Sequence, residues 1–301
     1  MRRIEGFNPA SLNDALAAKS KLGELGRYIA GGTDVMVDLR GESGSLPPLQ
    51  LIDLSHLDEL KGIVVNRSVV SVGALVTHSE LVQSADLMKC APLLSAASAE
   101  VGSPQIRSRG TIGGNICNAS PCADTMPALV ALNAQLILQS SDGERAIDIA
   151  EMLVAPYKTT LNPNELLTKI QFNALGENAH CAFVKLGRRL ALSVSRMSVA
   201  VVFDLDSSGQ MTGVRVAAGS VAPIVKRFTA VEDLLSAQIP SEELFAEAGR
   251  VLAAEMIGIS GRRWSTPYKE PVAEALMARA LRTALSNLVG TNTNEGIEPA
   301  W

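Results

Sequence analysis

The hydrophobic pattern divides the chain into short elements of changing type. Leu12, Ala15 and Leu16 recur at helical spacing behind Ser11, and Asp14 stands where a capping partner belongs, so a helix starts at Ser11 and Gly23 ends it. Residues 27–30 form a short strand that runs into Ala30-Gly31-Gly32-Thr33-Asp34. Val35, Val37 and Leu39 alternate, which predicts a strand-like segment, and residues 49–54 predict another strand after a loop at 41–48. Apolar runs at 63–65 and 69–72 flank Asn66-Arg67-Ser68 as a hairpin. Thr77 caps a helix from His78 to residue 82 or beyond, and Pro92 opens a helix that reaches residue 101. Residues 102–110 read as an irregular approach to a second glycine turn, Thr111-Ile112-Gly113-Gly114-Asn115. A helix follows over 123–132, then strands at 135–138 and 145–149 around Asp142-Gly143, and another at 166–172.

Near Leu175-Gly176-Glu177-Asn178 the texture changes. Strands at 182–186, 199–205 and 213–218 follow, two of them joined by Asp206-Ser207-Ser208-Gly209, and then helices over 230–237, 241–256 and 272–289. The pattern divides the chain into units at 1–56, 57–176 and 177–290, with a polar tail at 291–301 that its composition predicts to be mobile. The fold class is α+β, and the last unit carries a three-stranded antiparallel sheet with helices.

Composition narrows this picture by exclusion. The 301 residues suffice for two or three compact units, 47% hydrophobic content supports real cores, and a charged fraction of 19% argues against disorder. A net charge of −4 leaves no footprint for nucleic acid or an anionic membrane. No apolar run is long enough to span a bilayer, and Met1-Arg2-Arg3-Ile4-Glu5 leads into no apolar segment, so no secretory signal is read and the cytoplasm is the expected compartment. Cys90, Cys117, Cys122 and Cys181 are scattered and predict free thiols rather than disulfides or a metal site. His56, His78 and His180 are far apart and read as surface or capping residues.

The candidate chemistry lies in the two glycine segments. Double glycines let backbone approach a ligand closely and turn N–H groups toward an anion. The first lacks the G-x-G-x-x-G spacing of a Rossmann site and the G-x-x-x-x-G-K-[ST] of a P-loop. Two such loops suit a ligand with two phosphates. Asp124, near a helix start in Ser120-Pro121-Cys122-Ala123-Asp124, supplies an acceptor suited to ribose hydroxyls or an adenine amine.

These residues carry a family resemblance. A-G-G-T-D at 30–34, V-G-S-P-Q-I-R-S-R-G-T-I-G-G-N at 101–115, S-P-C-A-D at 120–124 and F-V-K-L-G-R-R at 183–189 resemble the FAD-binding (medium) subunit of the molybdenum hydroxylases, the family of xanthine, nicotinate and aerobic carbon monoxide dehydrogenases. The resemblance implies a two-subdomain FAD-binding fold of the vanillyl-alcohol oxidase-like type over 1–56 and 57–176, and a flavin-covering domain over 177–290. It implies that Tyr28 and Ile29 are among the cofactor-binding residues, that Ala30, Gly31, Gly32, Thr33, Asp34 and Val35 wrap the FAD pyrophosphate, and that Thr111, Ile112, Gly113, Gly114 and Asn115 complete its cradle. Asp124 would hold the ribose or adenine end, Val101 and Gly102 would make backbone contacts beside the flavin, and Leu167 and Lys185 would lie near the isoalloxazine.

No catalytic base, nucleophile or metal ligand is expected in this chain. The resemblance implies an electron-transfer subunit partnered by a molybdopterin-binding large subunit and a 2Fe–2S small subunit, in a dimer of heterotrimers, with NAD or a quinone as electron acceptor. Many members of the family it resembles carry an acidic residue after the paired arginines, whereas here the run is Leu190-Ala191-Leu192-Ser193-Val194. No four-cysteine insertion for a 4Fe–4S cluster is present in the sequence. The rival readings are a free-standing flavin oxidase of the vanillyl-alcohol oxidase type and a flavin-free scaffold subunit.

Overall fold

The computed structural model describes residues 2–41, 46–189, 192–287 and 289. The tail at 291–301 and residues 190 and 191 of the acid-free run lie outside them. The first unit contains β1 (Ile4–Phe7), α1 (Leu12–Leu22), β2 (Gly26–Ile29), α2 (Val35–Arg40) and β3 (Leu49–Asp53), with parallel strand order β1-β3-β2. Alternation along β3 explains its two covers. Leu49 and Leu51 pack with Leu39 of α2, while Ile52 and then Leu54 pack with Ala15 and Leu16 of α1.

The second unit runs through β4 (Ile63–Asn66), β5 (Val69–Gly73), α3 (His78–Gln83), α4 (Ala85–Cys90), α5 (Pro92–Ala99), α6 (Pro104–Arg107), α7 (Ile112–Asn118) and α8 (Thr125–Ala131). It continues with β6 (Gln135–Ser140), β7 (Gly143–Asp148), α9 (Ile149–Met152), β8 (Leu153–Ala155), β9 (Lys158–Thr159) and β10 (Leu166–Asn173). An antiparallel sheet orders its strands β4-β5-β10-β6-β7. Every residue of α8 is buried, which makes this helix the spine of the unit.

The third unit is an antiparallel sheet of β11 (Ala179–Leu186), β12 (Met197–Leu205), β13 (Met211–Gly219) and β14 (Lys226–Arg227), covered by α10 (Thr229–Leu235), α11 (Glu242–Ser260) and α12 (Thr266–Ser286). Residues 197–203 are all buried because β12 feeds two cores. Val199, Val201 and Phe203 pack under the helices, while Ala200 and Val202 join the core of the second unit. A strand buried on both faces reads as a continuous apolar run. This arrangement holds β11 against α5 and β13 against α8. Among the described residues, no helix is long and apolar enough to cross a membrane.

Several expectations need correction. The segment after the first glycine loop is the helix α2, not a strand. Val35 and Leu39 are four residues apart and turn inward on one helical face, while Val37 between them points away and is 63% exposed, so only the outer two of the three alternating positions belong to the core. The 102–110 approach contains α6, capped by Ser103, whose hydroxyl accepts from the Ile106 amide. The C-terminal sheet has a fourth, two-residue strand, β14, too short to show a period. The expected helix at 272–289 begins earlier and ends at Ser286, and β1 carried no predicted strand.

Candidate functional site

The second glycine segment is not a turn. Thr111 is the N-cap of α7, its hydroxyl accepting from the Gly114 amide at 3.1 Å, and Ile112, Gly113, Gly114 and Asn115 form the first turn of that helix. The amides of Gly113, Gly114 and Asn115 are engaged by the Ala74 carbonyl, the Thr111 hydroxyl and the Thr111 carbonyl. Gly113 is required for close packing instead. A Cβ there would stand 2.7 Å from both the Cβ and the carbonyl oxygen of Ala74. Gly114 is exposed and faces only the Thr111 hydroxyl at 3.0 Å.

The first glycine loop is a genuine turn with free donors. Gly32 has φ +73°, and among the described residues no backbone hydrogen bond engages the amides of Gly31, Gly32 or Thr33. Gly31 lies directly on the second segment, since a Cβ there would fall 1.9 Å from the Arg109 carbonyl oxygen. Behind that contact the His78 amide donates to the Gly110 carbonyl at 3.0 Å, and Thr77 bridges to Thr111. The Asn118 side-chain amide donates to the Asp34 carboxylate at 3.0 Å. The two glycine segments therefore form one continuous wall.

Tyr28 and Ile29 stand behind the wall. Tyr28 packs with the α1 core and Ile29 with the α2 core, and the half-buried Tyr28 hydroxyl, its pKa raised by burial, donates to the Ala15 carbonyl at 3.5 Å. Ala30, Gly31, Gly32, Thr33 and Val35 are half-buried, while Asp34 is exposed.

A chain of contacts leads from the wall to Asp124. The Thr125 hydroxyl donates to the Asn115 side chain at 2.7 Å, which ties the start of α8 to α7. Asp124, 8% exposed at its side chain, accepts on Oδ2 from the Lys185 ammonium at 2.7 Å, and Lys185 is 7% exposed. The same ammonium donates to the Glu100 carbonyl at 2.7 Å, beside Val101 and Gly102. Gly102 has φ +46°, and the Arg107 guanidinium donates to the Val101 carbonyl at 3.0 Å and to the Gly102 carbonyl at 3.3 Å. The second carboxylate oxygen, Asp124 Oδ1, is buried without a hydrogen-bond partner. Burial raises the Asp124 pKa to about 6, against the hydrogen bond and charge of Lys185 and with the charge of Glu100. Leu167 lies apart from these polar groups, 2% exposed in the core of the second unit.

Two histidines depart from the surface reading. His78 is 2% exposed against Gly110, with Nδ1 unpartnered and its pKa lowered to about 4 by burial and the nearby Arg107 charge. His180 is also buried, stacked on Phe203 at 5.1 Å, and its Nδ1 lies 3.2 Å from the Ala284 carbonyl oxygen. His56 is exposed, as expected. None of the four cysteines forms a disulfide among the described residues.

A groove of about 710 Å³ opens between the segments at 121–122, 195–196 and 220–223 and the α11–α12 junction. Its walls include Cys122, Ser195, Arg196, Arg263, Trp264 and Lys269, and among the described residues no acidic side chain lines it. Trp264 is 96% exposed, the Arg196 guanidinium lies 5.6 Å from the Tyr268 ring centre, and the buried Ser195 hydroxyl has no partner. The Arg196 amide donates to the Leu186 carbonyl, next to Lys185, and the Ser220 amide donates to the Pro121 carbonyl. Two of the groove's wall segments, 121–122 and 195–196, therefore adjoin the residues of the ion pair, in sequence or by a backbone hydrogen bond. Sequence reasoning missed it because its residues come from five separate stretches of chain.

The fit to a flavin dinucleotide rests on complementary features. Free amides at a glycine wall suit the pyrophosphate anion, and the unpartnered oxygen of Asp124 suits a cofactor hydroxyl. The fold and this arrangement fit the class of nucleotide-cofactor-binding proteins, here with a C-terminal α+β domain packed against the binding unit. Residues 2–173 match the family model described as the FAD binding domain in molybdopterin dehydrogenase, and residues 182–284 match the CO dehydrogenase flavoprotein C-terminal domain. The chain belongs to this family of FAD-binding subunits of molybdopterin dehydrogenases.

The carbon monoxide dehydrogenase medium chain of Hydrogenophaga pseudoflava is 28% identical over 94% of this chain and 97% of its own length. The nicotinate dehydrogenase FAD-subunit of Eubacterium barkeri is 25% identical over 96% of this chain and 99% of its own. A solved structure of the Hydrogenophaga pseudoflava carbon monoxide dehydrogenase, in a form lacking the Mo-pyranopterin moiety, superimposes with a TM-score of 0.87 at 28% identity over 95% of this chain and 98% of that one.

Proposed function

We propose that this chain is the electron-transfer subunit of a molybdenum hydroxylase complex, taking electrons from the 2Fe–2S clusters of a small subunit and passing them from FAD to a soluble acceptor. A molybdopterin-binding large subunit would oxidise the substrate, and two such heterotrimers would pair. The relatives named as medium chains and as an FAD-subunit support this reading. FAD supplies the redox chemistry, and the protein supplies binding, orientation and electrostatics.

Within the site, Gly31, Gly32 and Thr33 would donate amides to the pyrophosphate, with the Thr111–Asn115 start of α7 closing the wall behind them. Asp124 Oδ1 would accept from a cofactor hydroxyl, and Lys185, Val101 and Gly102 would border the flavin. The observation that carries the reading is the joining of the glycine wall to the buried Asp124–Lys185 pair. The groove favours NAD over a neutral quinone. Arg196, Arg263 and Lys269, opposed by no lining acid among the described residues, suit a dinucleotide pyrophosphate, and Trp264 and Tyr268 offer ring faces.

Stopped-flow absorbance at the flavin band tests the proposal. Mixing the FAD-loaded chain with NADH should bleach the band in a saturable way. No bleaching by NADH, with bleaching by a reduced quinone, would overturn the NAD assignment. Turnover of alcohols by the isolated chain would favour the free-standing oxidase, and absence of flavin bands after FAD incubation would favour the scaffold.

A further inference from the structure

The Asp124–Lys185 pair joins the FAD-binding unit to the covering unit. Asp124 belongs to the start of α8 and Lys185 to β11. Its geometry is asymmetric: Oδ2 is occupied by the ammonium, while Oδ1 is buried and empty-handed. The ammonium in turn is held by the Glu100 carbonyl at the end of α5. The charged groups acting on Asp124 are Lys185 and, more weakly, the Glu100 carboxylate. A buried carboxylate with a single cationic partner depends on that partner to stay ionised.

We infer that Lys185 is a positioning residue that keeps Asp124 ionised with Oδ1 free to accept from the cofactor, so that FAD retention depends on pH through this pair. The inference rests on the FAD-binding reading above. Burial favours the protonated acid, and a cofactor hydroxyl donating to Oδ1 favours the carboxylate. Binding therefore releases the Asp124 proton whenever pH is near or below the free-state value of about 6. Without the Lys185 charge, protonation sets in at higher pH.

The test is FAD affinity of the full chain, read as bound flavin absorbance in equilibrium dialysis from pH 5 to 8.5. Wild type should lose affinity as pH falls through about 6, by up to about tenfold per pH unit. Lys185→Met should begin its loss at least about one pH unit higher, since an opposite charge at this range shifts a carboxylate by roughly 1–3 units. Lys185→Arg should restore the wild-type midpoint. Asp124→Asn should bind more weakly at pH 8 with a flat profile, and the Asp124→Asn, Lys185→Met double variant, which leaves no buried charge unpaired, should be flat as well. A Lys185→Met profile with the wild-type midpoint, or an Asp124→Asn profile that keeps the wild-type slope, would overturn the inference. If Lys185→Met fails to fold, a double variant that keeps the slope overturns it equally. A wild-type chain that takes no FAD at any pH would overturn the cofactor reading itself, a distinct result.

Discussion

Gly31 and Arg109 touch backbone to backbone, so closely that a Cβ on Gly31 would stand 1.9 Å from the Arg109 carbonyl oxygen and 2.6 Å from its carbon. Because neither partner is the end of a flexible side chain, the clash can be relieved only by moving one glycine segment off the other. Gly31→Ala should therefore cost about 1–3 kcal/mol in stability, the usual range for overpacking, and lower FAD occupancy at the same time. Thermal unfolding and the ratio of flavin to protein absorbance check both effects.

The paired glycines of α7 should respond unequally. Gly113→Ala drives a methyl into Ala74 in a buried position and should cost about 1–3 kcal/mol. Gly114→Ala meets only the Thr111 hydroxyl at 3.0 Å on an exposed face, and its helix propensity gain of about 1 kcal/mol offsets most of the contact. Urea denaturation of the two variants should rank Gly114→Ala above Gly113→Ala. Equal losses would show that the segment is not the helix described.

His78 predicts an acid-sensitive wall. Its folded pKa of about 4 lies below the ordinary 6.5, so the unfolded chain binds the extra proton between those values. Stability from this group is complete above about pH 6.5 and falls as pH drops toward 4, by at most about 3 kcal/mol. His78→Gln should flatten that part of the stability profile, measured by urea unfolding from pH 7 to 4.

Glu165 supplies a second acid-dependent contribution in a lower window. Its carboxylate accepts from Arg145 Nε at 2.6 Å, from Arg145 Nη2 at 2.9 Å and from the Asn162 amide at 2.8 Å, and its pKa falls to about 2 chiefly through the Arg145 bond. A depressed carboxylate stabilises the fold above its ordinary 4.5 and loses that effect as pH falls from 4.5 toward 2. Arg145 is 41% exposed, so solvent screening limits the loss on Glu165→Gln to about 1–2 kcal/mol. Thermal melts of wild type and variant should converge near pH 2.

Cys181 should resist modification in the native chain. It is buried, and burial pushes its thiol up to about 12, so little thiolate exists at neutral pH. Mass spectrometry after iodoacetamide treatment should find Cys181 unlabelled until denaturant is added. Rapid native labelling would show that β11 opens locally.

The sequence by itself determined most of the strands and long helices, because alternation and helical spacing act between near neighbours. The Gln135–Asp148 hairpin and the strands β10 to β13 follow directly from alternating residues and their turns. The glycine motifs and the F-V-K-L-G-R-R segment were also legible, since both depend on a short local pattern. Three alternating residues were too few to separate α2 from a strand, and Thr111 gave a cap signal that the adjacent double glycine obscured. Only the tertiary structure decided which groups meet. Gly31 reaches Arg109, Asn118 reaches Asp34 and Lys185 reaches Asp124 across long separations in the chain, because the sheets and the buried α8 bring their ends together. The burial that leaves Asp124 Oδ1 without a partner and His78 uncharged is likewise a property of packed neighbours, which no local pattern of residues records.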